Sequence, residues 1–360
     1  MSTEAKIAIV CITENGKNLA IKINEKLPDS HVYIIKNKKN NLTNDNTNSS
    51  IFLVEKKVSE LVGDLFNQYQ SILFIMATGI VVRTIAPYIV NKFSDPAILV
   101  TDEKGRNVIS LLSGHMGGAN ELTNNISNLI GANPVITTAT DVNQKSSLDM
   151  IAKGLNAYID DFRENVKDVN AMLVNNQDVG IYIDGDYIVD TRGFKILNSL
   201  NEANGFEKVV IISNKNSIDN INLKTLDKDK FIKVIPKDIV IGIGCRRNTE
   251  SELLENSLKD FLYNNNIDIK SISEIGSIDV KKDEKAIIDL SVYLDIPFKT
   301  LSAEDISKVD YLFDKSEFVK KNVGVYCVAE PVAHILSNGN LIIEKHKYKG
   351  ITFSIGRLKL

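Results

Sequence analysis

The chain has 360 residues, 43% hydrophobic and 25% charged, ordinary proportions for a globular protein, and its length favours two or three domains over one. A formal net charge of −3 gives no global basic field for nucleic acid, so any anion site must be local. Cys11, Cys245 and Cys327 lie far apart with no CxxC pair, which argues against a disulfide framework or a zinc knuckle and for a reducing cytoplasm.

In chain order, KIAIVCI reads as a buried strand rather than a signal sequence, and a helix around GKNLAIKINEKL ends before Pro28. HVYIIK is a second strand, NKKNNLTNDNTNSS a polar low-complexity loop, and VSELVGDLFNQY a helix. SILFIMATGIVV, the longest apolar stretch, falls short of the roughly 20 residues a membrane span needs. It divides into a strand, SILFIM, and a helix start, IVVRTIA, with Val81, Val82 and Ile85 on one side. AILVT and NVISLL flank the turn DEKGR, a spacing that predicts an antiparallel hairpin at Gly105. ANELTNNISNLIG places Leu122, Ile126, Leu129 and Ile130 at helical spacing, with Gly131 as the stop, and NPVITTAT returns as a strand.

Residues 141–235 carry a helix in SSLDMIAKGLNAYI and strands in VGIYID and KVVIIS, but no chemical motif; NKNSIDNINLKTLDKDK reads as a linker or surface loop. A fresh unit starts at Pro236: strand DIVIGIG, turn GCRRNT, helix ESELLENSLKDFLYNN, a strand near SISEIGSID, helix DEKAIIDLSVYLD, and strands PFKTLS and VGVYCVAE. A short helix, EPVAHILSNG, and a hairpin of LIIEKHK with ITFSIGR complete it. The expected fold is α/β, with an N-terminal α/β domain (1–140), a smaller α/β middle region (141–235) and a C-terminal α/β domain (236–360).

Four segments could carry chemistry. SGHMGGANE puts Ser113 and His115 just past a strand end and Asn120 and Glu121 at a helix start, where ligands of open α/β sheets gather. A histidine there is either a general base or acid oriented by a carboxylate, or a loop residue bonded to a backbone carbonyl. Gly114, Gly117 and Gly118 imply positive φ or a backbone that something approaches closely. The scattered histidines suggest no protein-held zinc, and GxSxG is absent.

GIGCRR, from Gly242 and Gly244 to Cys245, Arg246 and Arg247, fails the dinucleotide fingerprint at its third glycine. With a capping box at Thr249 and Glu252, its arginines instead flank a helix N-terminus suited to an anion. ATGIVVR repeats that plan with Thr78, Gly79 and Arg83; Arg83 faces an anionic ligand or pairs with Asp95 or Asp102. VAEPVA sets Glu330 at a strand end, as a dipole-favoured acid or a carboxylate at the mouth of the second domain, and KHKYK is a solvated strand face or a supplement to an anion site.

Together these segments resemble the CbiG family, the cobalt-precorrin-5A hydrolases of anaerobic cobalamin biosynthesis. The stretch from TGIVVRTIAPYIV to GGANELTNNIS is similar to that family's N-terminal domain, and IGIGCRR, IPFKTLSAED and VAEPVA to its C-terminal domain. The middle is least characteristic, and EPVA departs from the family's EAAA-like form. The resemblance implies that water opens a δ-lactone on a cobalt tetrapyrrole and acetaldehyde leaves, giving cobalt-precorrin-5B. His115 would activate the water, Glu121 or Asp102 would orient it, and N–H groups from Met116 to Gly118 would hold the oxyanion. Arg83, Arg246 and Arg247 would grip substrate carboxylates. Thr78, Gly79, Ser113, Gly114, Gly117, Gly118, Asn120, Gly242, Gly244, Cys245 and Glu330 would line the binding surface, its glycines making room for the macrocycle. No cofactor is expected, because cobalt arrives inside the substrate. The expected partners are cobalt-precorrin-5A, other pathway enzymes and a second copy in a homodimer, with no nucleic acid and no membrane. A non-catalytic cobalt-tetrapyrrole carrier using the same residues is the competing reading, and a nucleotide- or phosphate-ester-binding α/β protein a third.

Overall fold

The structure is a computed structural model describing residues 6–36, 49–92 and 94–360, so most of the NKKNNLTNDNTNSS loop lies outside the described residues. It divides into two units, Met1–Lys145 and Ser146–Leu360.

In the first unit, apolar runs pair as one seven-stranded sheet: β1 (Ile7–Cys11), β2 (Ser30–Ile35), β3 (Ile51–Val54), β4 (Ser71–Ile75), β5 (Ala97–Thr101), β6 (Asn107–Leu112) and β7 (Asn133–Val135), in the order β3-β2-β1-β4-β5-β6-β7. The first five strands are parallel, whereas β6 runs antiparallel to β5, and β7 follows β6. Central strands covered on both faces need continuous apolar sequence, which KIAIVCI, SILFIM and AILVT supply. The helices are α1 (Glu14–Asn24), α2 (Val58–Gln68), α3 (Thr78–Ile85), α4 (Ala119–Ile130) and α5 (Ala139–Val142). Helices α1 and α4 cover one face through Ala20, Ile23 and Ile126; α2 and α3 cover the other through Leu61, Leu65, Val81 and Ile85. Val82 leaves the expected apolar stripe and is 46% exposed. NPVITTAT is a strand only to Val135, since its one neighbour is β6, and then turns into α5.

The second unit holds two five-stranded sheets and a small hairpin. Its first part runs α6 (Leu148–Gly154), β8 (Tyr158–Ile159), α7 (Phe162–Val174), β9 (Val179–Ile183), β10 (Lys195–Leu197), β11 (Lys208–Ile212), the hairpin β12 (Ser217–Ile218) with β13 (Ile221–Asn222), and β14 (Phe231–Ile235). The sheet order is β10-β9-β11-β14-β8, with α6 and α7 on one face through Ile151, Val169 and Leu173. The NKNSIDN segment is docked, not a free linker: Asn216 Nδ2 donates to the Ile267 carbonyl (2.7 Å), and the Ser217 N–H to Asn266 Oδ1 (2.9 Å).

The second part runs β15 (Ile239–Cys245), α8 (Ser251–Asn264), β16 (Ile272–Ile278), α9 (Lys285–Leu294), β17 (Phe298–Leu301), α10 (Ala303–Ser307), α11 (Glu317–Val323), α12 (Ala329–Leu336), β18 (Leu341–Tyr348) and β19 (Ile351–Arg357). Its sheet order is β17-β16-β15-β19-β18, parallel from β17 to β15 and antiparallel beyond. Helices α8 and α9 pack on one face through Leu254, Leu258, Phe261 and Leu290, and α12 packs on the other. VGVYCVAE is not a strand. Residues 324–328 are irregular, with the Tyr326 N–H held by Asp310 Oδ2 (2.9 Å), and Glu330 is the second residue of α12. Among the described residues, no helix is long and apolar enough to cross a membrane.

Candidate functional site

Two places gather the chemistry-bearing residues. The first is the loop between β6 and α4. Ser113 enters it at φ 57°, a left-handed conformation unusual outside glycine, and its buried Oγ has no hydrogen-bond partner among the described residues. The loop then closes on itself: the Ala119 N–H donates to the Ser113 carbonyl (3.2 Å), that of Asn120 to Gly114 (3.0 Å), and that of Gly118 to His115 (3.0 Å). The first turn of α4 therefore meets its own loop, and the Gly118 N–H expected for an oxyanion is already used.

His115 Nε2 lies 2.9 Å from Asp141 Oδ2 and 2.9 Å from Thr140 Oγ1. Asn120 Nδ2 donates to the same Asp141 oxygen (2.9 Å) and to Thr138 Oγ1 (3.0 Å), while its Oδ1 accepts from Ser110 Oγ (2.6 Å). An ionised carboxylate only accepts, so it favours a proton on the nitrogen it faces. The imidazole is thus oriented by Asp141, which is braced by Asn120. Asn120 is 5% exposed with its amide committed, so it positions Asp141 instead of meeting a ligand.

These contacts correct the sequence-based assignments. Asp102 sits at the start of the β5–β6 hairpin, and β6 carries the chain to the other end of the sheet before His115, roughly 17 Å away at ~3.4 Å per residue. Its carboxylate instead accepts the N–H groups of Lys104, Arg106 and Asn107 (3.0–3.1 Å). Burial raises its pKa, but these backbone bonds outweigh that and hold it below the ordinary carboxylate value. Glu121 is exposed on α4. The loop glycines serve loop closure: a Cβ on Gly114 would lie 2.7 Å from Asn120 Oδ1, one on Gly117 would lie 2.7 Å from the Ser113 carbonyl, and Gly118 stands at φ 85°. Asp141 lies just beyond the expected end of the first domain at residue 140; its signal in the sequence is a carboxylate in TTATD following a strand pattern.

Thr78 and Gly79 start α3 at the far end of this sheet, since β4 and β5 finish together at Ile75 and Thr101. Arg83 falls in the last turn of this eight-residue helix, where a cation suits the dipole, and its Nη1 donates to the Gly79 carbonyl (2.9 Å). Asp95 is occupied by the N–H groups of Val90 and Asn91.

The second place is a cavity of about 960 Å³ beyond the C-terminal ends of β15 and β16, near the upper end of the usual range for small-molecule sites. Its wall takes Gly244, Cys245, Arg246 and Arg247 from the end of β15, Lys281 from beyond β16, Lys315 before α11, the start of α12, and Lys345 and Lys347 from β18. That sets six cations against two carboxylates, Asp314 and Glu330. Side chains alternate along a strand. Lys345 and Lys347 of KHKYK line the cavity, while His346 stacks on Phe261 (5.7 Å between centroids).

The cations are not equally available. Arg247 Nη1 is bound to Asp283 Oδ1 (2.7 Å), and its Nη2 to the Val280 carbonyl (2.7 Å). Lys281 is buried against Glu284 (3.1 Å). Lys345 bridges Asp314 (3.1 Å) and Glu330 (3.3 Å). Arg246 is exposed and stretches over Gly350, and Lys315 lies over the Tyr326 ring (5.0 Å). No capping box forms before α8: Thr249 Oγ1 donates to the Arg246 carbonyl (2.8 Å), while the Thr249 N–H is held by Glu284 (3.1 Å). Gly242 lies under α12, where a Cβ would strike the Ala329 backbone, so its role is packing. Cys327 is pushed up to about 12 by burial, then by Glu330 and Asp310, and Cys245 is raised chiefly by burial, so both stay neutral thiols. Among the described residues, no group of three or more His, Cys, Asp or Glu side chains could hold a metal ion.

Family models described as cobalamin synthesis G N-terminal, cobalamin biosynthesis central region and cobalamin synthesis G C-terminus match residues 60–141, 146–220 and 239–356. A cobalt-precorrin-5A hydrolase of Salmonella typhimurium is 38% identical over 356 residues, 97% of each chain. One of Priestia megaterium is 28% identical over 362 residues, covering 97% of this chain and 94% of that one. The crystal structure of a cobalamin biosynthesis protein G homolog from Sulfolobus solfataricus, 23% identical, covers 99% of this chain and 98% of its own at a TM-score of 0.39.

Proposed function

The chain belongs to the cobalt-precorrin-5A hydrolase family, and from that premise we propose that it opens the δ-lactone of cobalt-precorrin-5A with water and releases acetaldehyde, giving cobalt-precorrin-5B. The observation that carries this reading is the cation-lined cavity of the C-terminal α/β region. A macrocycle bearing many acetate and propionate groups presents carboxylates that Arg246, Lys315 and Lys347 can meet, and the volume suits a large ligand. Cobalt enters as part of the substrate, so the reaction asks for no resident cofactor. The reading carries with it a cytoplasmic location beside the other enzymes of the pathway, with a homodimer as the simplest assembly.

His115 and Asp141 form a second proton-transfer element. Acetaldehyde loss requires a proton to leave the hydroxyl oxygen that lactone opening frees, and an imidazole paired with a carboxylate can accept it. The test is incubation of the protein with cobalt-precorrin-5A and measurement of acetaldehyde. Stoichiometric release is expected, and binding of the macrocycle without turnover would make the protein a carrier. His115→Ala is expected to keep macrocycle binding while losing roughly 100-fold or more in release. Turnover near the wild-type rate would reduce the histidine to a loop residue.

A further inference from the structure

Glu330 is the one carboxylate in the cavity wall that is almost fully buried, 4% exposed, at the second position of α12. Burying an acid is unfavourable unless its oxygens are satisfied. Glu330 meets this only in part: Oε1 accepts a long bond from the Lys345 N–H (3.4 Å). Oε2 lies 3.3 Å from Lys345 Nζ, an ion-pair distance, yet forms no hydrogen bond with any described residue. A buried polar atom without a hydrogen bond is the exception in folded proteins. The first-turn N–H groups of Ala329 and Glu330 have no intrahelical acceptor, and residue 331 is a proline, so the positive end of α12 sits in the same wall.

We infer that Glu330 is the base that activates the attacking water, with Lys345 as its positioning residue; this rests on the hydrolase reading above. Glu330 Oε2 takes a proton from water as the water oxygen bonds to the lactone carbonyl carbon. The carbonyl π pair moves to oxygen, and the resulting negative charge is favoured by the cationic wall and the end of α12. The tetrahedral adduct then expels the ring alkoxide by breaking the lactone C–O bond, and the proton on Glu330 passes to that alkoxide. One water is consumed, and Glu330 returns to its ionised form.

The groups beside Glu330 are Lys345 from β18, which also pairs with Asp314, and Cys327 from the approach to α12, which Asp310 also reaches. Lys345 is the cation among them and favours the carboxylate. The experiment uses the full chain with cobalt-precorrin-5A, reading acetaldehyde release, and macrocycle binding from its absorbance. Glu330→Gln is expected to bind the macrocycle within about threefold of wild type and to lose release by about 100-fold or more. Release within about threefold of wild type, or loss of binding by a folded variant, would overturn the inference. If Glu330→Gln does not fold, Lys345→Met decides. Losing the cation beside Oε2 is expected to lower kcat by about tenfold or more with KM within about threefold of wild type. An unchanged kcat would again overturn it. Wild-type protein that releases no acetaldehyde would instead defeat the hydrolase reading itself, so the two failures are distinct.

Discussion

At the scale of single residues, the two arginines of GIGCRR separate. They look equivalent in sequence, but Arg247 is held by Asp283 and Val280 while Arg246 remains on the cavity rim. A charged hydrogen bond contributes roughly 1.5–3 kcal/mol. Arg246→Ala is therefore expected to raise KM by about tenfold or more with a smaller effect on kcat, and Arg247→Ala to raise it by less than about threefold. Steady-state kinetics on both variants check this, and equal effects would place Arg247 on the substrate as well. The motif was legible because two arginines after a glycine strand end are conspicuous. Their division of labour was not, since Asp283 lies 36 positions away.

At the scale of elements, the β5–β6 hairpin shows what its acid does. Asp102 holds three N–H groups of its own turn, and its pKa is depressed by them. A carboxylate whose folded pKa lies below its unfolded value of about 3.9 stabilises the fold above that value, and the contribution fades as pH falls through the folded pKa. Wild type should therefore lose more stability than Asp102→Asn between about pH 5 and pH 3. Urea unfolding at a series of pH values measures the difference, and parallel curves would show that the turn gains nothing from the charge. The hairpin itself was readable from spacing and Gly105. Which end of the sheet each loop reaches was not: that follows from β6 running antiparallel, which puts the SGHMGG loop far from Asp102 and Thr78. KHKYK, by contrast, was readable as a strand face, and the fold adds that Lys345 and Lys347 share its cavity side.

At the scale of the whole molecule, the second unit is joined at Asp238, between β14 and β15. This fully buried acid accepts from Arg357 Nε (2.6 Å), Tyr187 Oη (2.9 Å) and Asn214 Nδ2 (2.9 Å), linking the end of β19 to the loops that follow β9 and β11. Breaking a buried pair typically costs about 3–5 kcal/mol because a charge is left uncompensated. Arg357→Met should fall near the lower end, since the arginine is 30% exposed. Equilibrium urea unfolding tests it; a loss under about 1 kcal/mol would mean that Tyr187 and Asn214 suffice. The sequence by itself determined the α/β class, the order of most strands and helices, and the segments where function gathers. It could do so because strand and helix periodicity, turn glycines and clustered charges are local properties of the chain. Only the tertiary structure decided the partners: Asp141 for His115, Lys345 for Glu330, Asp283 for Arg247 and Arg357 for Asp238. Those pairs depend on which strand ends and helix starts meet across the sheets, and no local pattern records a neighbour that arrives from 15 to 119 residues away.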